Sequence, residues 1–165
     1  MAFLLRRPFI FFTIGIIAIV VVAILYTGVL TPKPSLPEFS STTLERSSIT
    51  MGLNTTLTIT IENKAPNPKS VEFRIVYGSP QLLFYDKING TLLSVSPILV
   101  YNGMNYTITY PKIRVMNAGE QWSLPIWIKG LDPGGSSYTY TIYLEIYSDN
   151  KLSQRTSIQL TVNRP

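Results

Sequence analysis

Asn54-Thr-Thr-Leu-Thr-Ile-Thr-Ile-Glu-Asn63 decides the fold. Leu57, Ile59 and Ile61 alternate with Thr56, Thr58, Thr60 and Glu62. A side-chain period of two puts the aliphatics on one face and the hydroxyls on the other, which describes a half-buried strand. A helix would scatter the same residues around its circumference. The pattern recurs outward from this stretch. Val71, Phe73, Ile75 and Tyr77 alternate with Glu72 and Arg74, and Tyr106, Ile108 and Tyr110 with Thr107 and Thr109. Trp122, Leu124, Ile126 and Ile128 alternate with Ser123, Pro125 and Trp127. Tyr138 to Ile146 and Ile158 to Val162 follow the same rule, and weaker runs lie at Leu44–Thr50, Gln81–Tyr85 and Leu92–Val100. Turn signals separate the runs: Lys64-Ala-Pro-Asn-Pro68, Asn89-Gly90, Asn102-Gly103, Asn117-Ala-Gly119 and Asp132-Pro-Gly-Gly135.

Short strands at this spacing predict an all-β, immunoglobulin-like antiparallel β-sandwich over residues 44–165. Phe73, Trp122 and Tyr138 are expected to face its core with the aliphatics. Pro111 and Pro125 inside strand-like runs predict edges or bulges, because proline cannot donate to a ladder.

A threonine-rich strand ending in Glu62-Asn63, followed later by Gly119-Glu-Gln-Trp-Ser-Leu-Pro-Ile126, resembles the CARDB-type immunoglobulin-like domains of prokaryotic, especially archaeal, surface proteins. The resemblance covers roughly Leu44–Val162. It implies a sandwich with an adhesion, scaffold or envelope-contact role, and it brings no catalytic residues with it.

A different signal precedes the strands. Phe9 to Leu30 is a run of 22 residues without charge or proline. As a helix it would be about 33 Å long, enough for a bilayer core of about 30 Å. Lipid satisfies no peptide groups, so a helix is the single-span solution. Arg6 and Arg7 precede the run and no basic residue follows until Lys33. The positive-inside rule therefore places residues 1–8 in the cytoplasm, 9–30 in the membrane as a transmembrane helix, and the rest outside. The run is too long for a secretory h-region and Ala23-Ile-Leu-Tyr-Thr-Gly28 lacks an Ala-x-Ala-like site, so it reads as an uncleaved signal anchor. The Arg6-Arg7 pair also faintly resembles a twin-arginine signal. A pilin-like leader would want glycine where Pro8 stands. Residues 31–43 read as a proline-rich linker, in which Thr31-Pro-Lys-Pro-Ser-Leu-Pro37 would be about 20 Å of extended chain.

Composition excludes several chemistries. The chain has no cysteine and no histidine. Disulfides, thiolate metal sites and the commonest general base are thereby removed. Residues 31–165 carry 12 basic and 9 acidic side chains, a net of +3 spread along the chain, which reads as a mixed solvated surface and not as a nucleic-acid patch. The same residues hold 30 Ser plus Thr against those 9 acids, a balance suited to an acidic exterior where carboxylates lose their charge. Strand propensity of threonine explains it equally well.

Candidate sites are few. Asn54-Thr-Thr, Asn89-Gly-Thr and Asn105-Tyr-Thr are N-glycosylation sequons on the expected outer side. Asp86 with Asn89, and Asp149 with Asn150, lack the acidic density of a calcium loop and read as turns, so no metal and no cofactor is expected. No nucleophile elbow, Ser-x-x-Lys pair or carboxylate pair suggests catalysis. Tyr143 and Tyr147, with Glu145 between them, are expected to face outward, as is Trp127. These three are the candidate interaction surface, because exposed aromatics favour interfaces. The expectation is a single-pass, membrane-anchored extracellular module. It would contact an envelope component (a protein or a glycan), another membrane subunit or a second copy of itself. A pilus-like filament subunit and an accessory subunit of a membrane enzyme are the alternatives.

Overall fold

The computed structural model describes residues 35–100, 103–111 and 113–165. The expected transmembrane helix, with Arg6 and Arg7, lies outside the described residues. Residues 35–165 form one compact unit. All its regular structure is strand: β1 (Pro37–Leu44), β2 (Ser48–Thr50), β3 (Asn54–Asn63), β4 (Lys69–Tyr77), β5 (Leu82–Asp86), β6 (Ser96–Val100), β7 (Gly103–Thr109), β8 (Arg114–Met116), β9 (Gln121–Gly130), β10 (Ser137–Ser148) and β11 (Lys151–Asn163). One sheet has the order β1-β3-β9-β5. The other runs β2-β11-β10-β4-β7-β6, with β8 also on β4. Within these sheets the A-B-E-D and G-F-C arrangements of an immunoglobulin-like sandwich are complete. After β5 the chain returns to the larger sheet for β6, β7 and β8 before crossing to β9.

Each strand follows its sequence period. On β3, Leu57, Ile59 and Ile61 are buried; they lie opposite Ile126, Leu124 and Trp122 of β9 in the same layer. From the other sheet, Phe73 and Ile75 of β4 and Ile142, Leu144 and Ile146 of β10 close the core. Aromatic edges join the sheets: Phe39 meets Phe73 at 6.4 Å and Tyr77 meets Phe84 at 4.8 Å. Burial pushes the Tyr77 phenol up to about 12, with Tyr106 adding to it. Asp149 and Asn150 both have positive φ and make the two-residue turn between β10 and β11, the geometry that matches the twist of a hairpin.

The structure departs from the sequence expectations in four places. The sheet begins at Pro37, inside the stretch 31–43 expected as a linker, because β1 pairs along β3 from Pro37↔Asn63 to Leu44↔Leu57. Its free edge is capped: the Phe39 N–H donates to Gln154 Oε1 at 2.6 Å and the Ser153 hydroxyl donates to the Pro37 carbonyl at 2.6 Å. The run Leu44–Thr50 is not one strand. It breaks between β1 and β2, and β2 lies parallel to β11 in the other sheet. Tyr138 is 54% exposed, not buried. It sits at the start of β10, at the margin of the core, and packs its ring on Tyr140 at 4.7 Å. Pro111 follows β7 and belongs to no strand.

Pro125 lies within β9, paired with Thr58. Its carbonyl accepts from the Lys87 N–H at 3.1 Å, just past the end of β5. The N–H and C=O of a strand residue point to the same side, so the missing donor falls where β5 has stopped. Locally this is an edge position, as the sequence suggested.

Two buried residues fix how the sandwich closes. Asn63 is fully buried at the end of β3. Its amide nitrogen donates to the carbonyls of Met116 (2.8 Å), Asn67 (3.1 Å) and Asn117 (3.2 Å), and its oxygen accepts from the Ala65 N–H at 3.0 Å. Gly130, the last residue of β9, lies against Val162 of β11 so closely that a Cβ would stand 2.7 Å from Val162 Cγ2.

Among the described residues six ion pairs hold carboxylates: Glu38–Lys64, Glu72–Arg74, Glu120–Arg114, Asp132–Arg164, Glu145–Arg155 and Asp149–Lys69. The Gly134 N–H and then Arg164 hold Asp132 below its ordinary value. The Asn117 N–H and then Arg114 do so for Glu120, and Lys69 does so for Asp149. A carboxyl depressed in the folded state stabilises above its unfolded pKa, and that contribution is lost as pH falls through the folded value. Asp132 and Asp149 are exposed and Glu120 is half-buried at the surface, so each effect is small. Thermal melts from pH 7 to pH 2 should show a shallow fall in Tm starting near pH 4. A Tm unchanged down to pH 2 would instead favour the acid-adapted reading of the hydroxyl-rich surface.

Candidate interaction surface

The alternation of β10 sends Tyr143, Glu145 and Tyr147 to the outer face of the larger sheet. Register supplies their neighbours. Glu145 lies opposite Arg155 on β11 and opposite Arg74 on β4, so a cation flanks the carboxylate on each side. Each cation covers an aromatic ring. The Arg155 guanidinium carbon is 4.1 Å from the centre of the Tyr143 ring, and that of Arg74 is 4.0 Å from the centre of Tyr147. The Tyr147 hydroxyl donates to Glu145 at 3.1 Å, and Arg155 Nε is 3.4 Å from the other carboxylate oxygen. Arg74 also pairs with Glu72. Glu145 is therefore buried beneath its partners although it points outward. Burial, then the Glu145 charge, raises the Tyr147 phenol above its ordinary value.

These are partly pre-positioned groups: two Arg–Tyr cation–π pairs, each also tied to a carboxylate, which lowers the ordering cost on contact. The charges of Glu72, Arg74, Glu145 and Arg155 sum to zero. Tyr143 remains 38% exposed. Sequence reasoning found the two tyrosines but missed Arg74 and Arg155. The i, i+2 pattern places Arg74 outward on its own strand, and only cross-strand register brings it to Tyr147.

Trp127 does not join them. It lies on β9, on the outer face of the smaller sheet, between Thr56 and Tyr85. The expected surface is thus two surfaces on opposite sides of the sandwich, and the arginine-flanked one is the better organised.

The sequons occupy three settings. Asn54 is exposed at the start of β3. Asn105 lies within β7, half-buried and opposite Ile98 of β6. Asn89 is exposed in the loop after β5, and its Oδ1 accepts from the Thr91 N–H at 2.9 Å. That loop starts at Asp86, whose carboxylate takes the Ile88 N–H at 2.8 Å and the Tyr110 hydroxyl at 2.7 Å. Burial, then Asp86, raises the Tyr110 phenol well above its ordinary value. Beside it a half-open cleft of about 590 Å³ lies between β9 and β8, where β5 has ended. Trp122 and Tyr110 line its floor, and Ile88, Ile113 and Val115 its rim. Among the described residues no three His, Cys, Asp or Glu side chains gather as a metal site.

No family model matches the chain, and no curated protein sequence matches it. Solved structures do resemble it. AvmM, which catalyses macrocyclization in alchivemycin A biosynthesis, superposes with a TM-score of 0.54 at 10% identity, over 79% of this chain and 89% of that one. The CARDB domain of a Pyrococcus furiosus protein, in complex with di-metal ions, gives 0.45 at 12% identity, over 79% and 92%. The alkylpurine DNA glycosylase AlkC of Pseudomonas fluorescens, bound to DNA containing an abasic site analog, gives 0.47 at 14%, over 78% of this chain. This chain spans 31% of the AlkC chain. At these identities the likeness is one of fold, and AvmM carries it for the sandwich.

Proposed function

We propose that this chain is a non-catalytic, membrane-anchored binding module of the cell surface. In this reading its CARDB-like sandwich holds the Tyr143–Arg155–Glu145–Arg74–Tyr147 face toward a protein of the envelope or of the same membrane. The observation that carries the reading is the paired Arg–Tyr stack around buried Glu145 on an open sheet face. Aromatic and arginine side chains dominate binding energy where they are held rigid, and this face presents both without a net charge to repel a partner. The apolar run Phe9–Leu30 would confine the module to one surface. Confinement raises the effective concentration of weak contacts, so a small interface suffices.

The test is crosslinking of the native membrane followed by identification of attached proteins, for the natural chain and for Tyr143→Ser and Arg155→Glu. Each substitution should weaken capture of the same partner by about 30-fold, as loss of an anchor of about 2 kcal/mol would. Folded stability should change by only about 1 kcal/mol, the worth of a surface cation–π contact. Equal capture by both variants would remove this face from the reading. A C-terminal portion shielded from protease on intact cells would remove the topology.

A further inference from the structure

Ile88, Ile113 and Val115 are 77%, 62% and 67% exposed, and they rim one cleft. So much aliphatic surface around one concavity needs a cover. The same rim carries Asn89, the only one of the three sequon asparagines among the residues that line the cleft. We propose that Asn89 bears an N-linked glycan whose first sugars lie over this apolar rim. The inference rests on the export of the domain proposed above.

The local geometry selects Asn89. In its Asx turn the side-chain oxygen is held by the Thr91 N–H, which leaves the amide nitrogen as the end open to substitution. Gly90, at φ +70°, turns the chain back so that the loop projects, and its N–H is tied to the Asp86 carbonyl at 2.8 Å. Asp86 in turn is anchored to Tyr110 on the floor of the cleft. The asparagine is therefore exposed yet fixed relative to the rim. Asn105, half-buried in a paired strand, offers no such freedom. Asn54 is exposed but lines no cleft. In the attachment, Asn89 Nδ2 forms a bond to C1 of a sugar carried on a lipid phosphate. The C1–oxygen bond of that donor breaks, the lipid phosphate leaves, and the amide gives up one proton. Sugar rings present apolar C–H faces, which suit Ile113, Val115 and the edge of Trp122, while their hydroxyls return the surface to water.

The experiment uses the full chain from its own host. Peptide mass spectrometry is expected to find a hexose-containing mass on Asn89. Thr91→Ala removes the sequon but keeps the backbone N–H that holds Asn89, so it tests the glycan without breaking the turn. Thr91→Ala and Asn89→Gln should each bind an apolar fluorescent dye about twofold more than the natural chain, and adding Ile113→Ser should reverse the gain. A bare Asn89 on a domain shown to be outside by protease digestion overturns the inference and leaves the proposed function standing. Dye binding unchanged in both variants overturns the cover, as does a sequon-less chain that dimerises through the rim. A domain that proves to be inside the cell defeats the proposed topology instead.

Discussion

Asn63→Asp should unfold the sandwich at markedly lower denaturant, with a loss of about 3–5 kcal/mol. One amide nitrogen holds three carbonyls from two loops, those following β3 and β8, and the amide oxygen holds a fourth group. The backbone of Asn63 is also committed, to Glu120 and Gly119 at 3.0 and 2.7 Å. Aspartate has the same shape but turns acceptor toward acceptor. It must either carry a buried charge against three carbonyl oxygens or remain protonated with a raised pKa. The second option gives a signature. An acid whose folded pKa is raised destabilises above its unfolded pKa, near 4, and the deficit shrinks as pH falls toward that value. Asn63→Ala, which orphans the same partners without adding charge, should cost about 2–3 kcal/mol with no such pH dependence. Urea titrations at pH 7 and pH 4.5 would measure both. An aspartate variant within about 1 kcal/mol of the natural chain would show that these loops are held by something else.

Gly130→Ala is the second large effect. In most strand positions alanine is better than glycine by about 0.5–1 kcal/mol. Here the added methyl would sit 2.7 and 2.8 Å from the two Val162 methyls and 3.3 Å from its Cβ. Valine has no flexible end to swing aside, so the sheets must part or the backbone must shift, at about 2–3 kcal/mol. Val162→Ala alone should also destabilise, through the space it leaves. The double variant places the new methyl where the old ones were. It should be more stable than the sum of the two losses by about 1–2 kcal/mol. Strict additivity would mean that Gly130 and Val162 do not share this space.

The strands were legible because nothing in a sandwich competes with the period of two. Leu57–Ile61, Val71–Tyr77 and Trp122–Ile128 all lie where alternation places them. β1 was not legible: Pro37-Glu-Phe-Ser-Ser-Thr-Thr-Leu44 carries a bulge between Phe39 and Ser41, which breaks the alternation. Proline at its first position also suggested a spacer, although proline is at home there on an edge. Tyr138 misled because period two gives the direction of a side chain but not where the opposing layer ends. The tyrosines of the candidate face were readable from β10 alone. Their arginines come from β4 and β11, and pairing across strands distant in sequence leaves no trace in either strand. The apolar cleft was unreadable for the same reason, since it exists because β5 is shorter than the β9 it pairs with.

The capped strand β1 starts at the Asn63 end of the sandwich, and β11 finishes at the opposite end, where the Asn163 carbonyl meets the Met51 N–H. Tension between the two termini of this domain therefore runs along the strand axes. Hydrogen bonds of β1 to β3 and of β2 to β11 lie across that line and would have to yield together in shear, not unzip singly. Gln154 and Ser153 add two side-chain stitches at the point where the load enters.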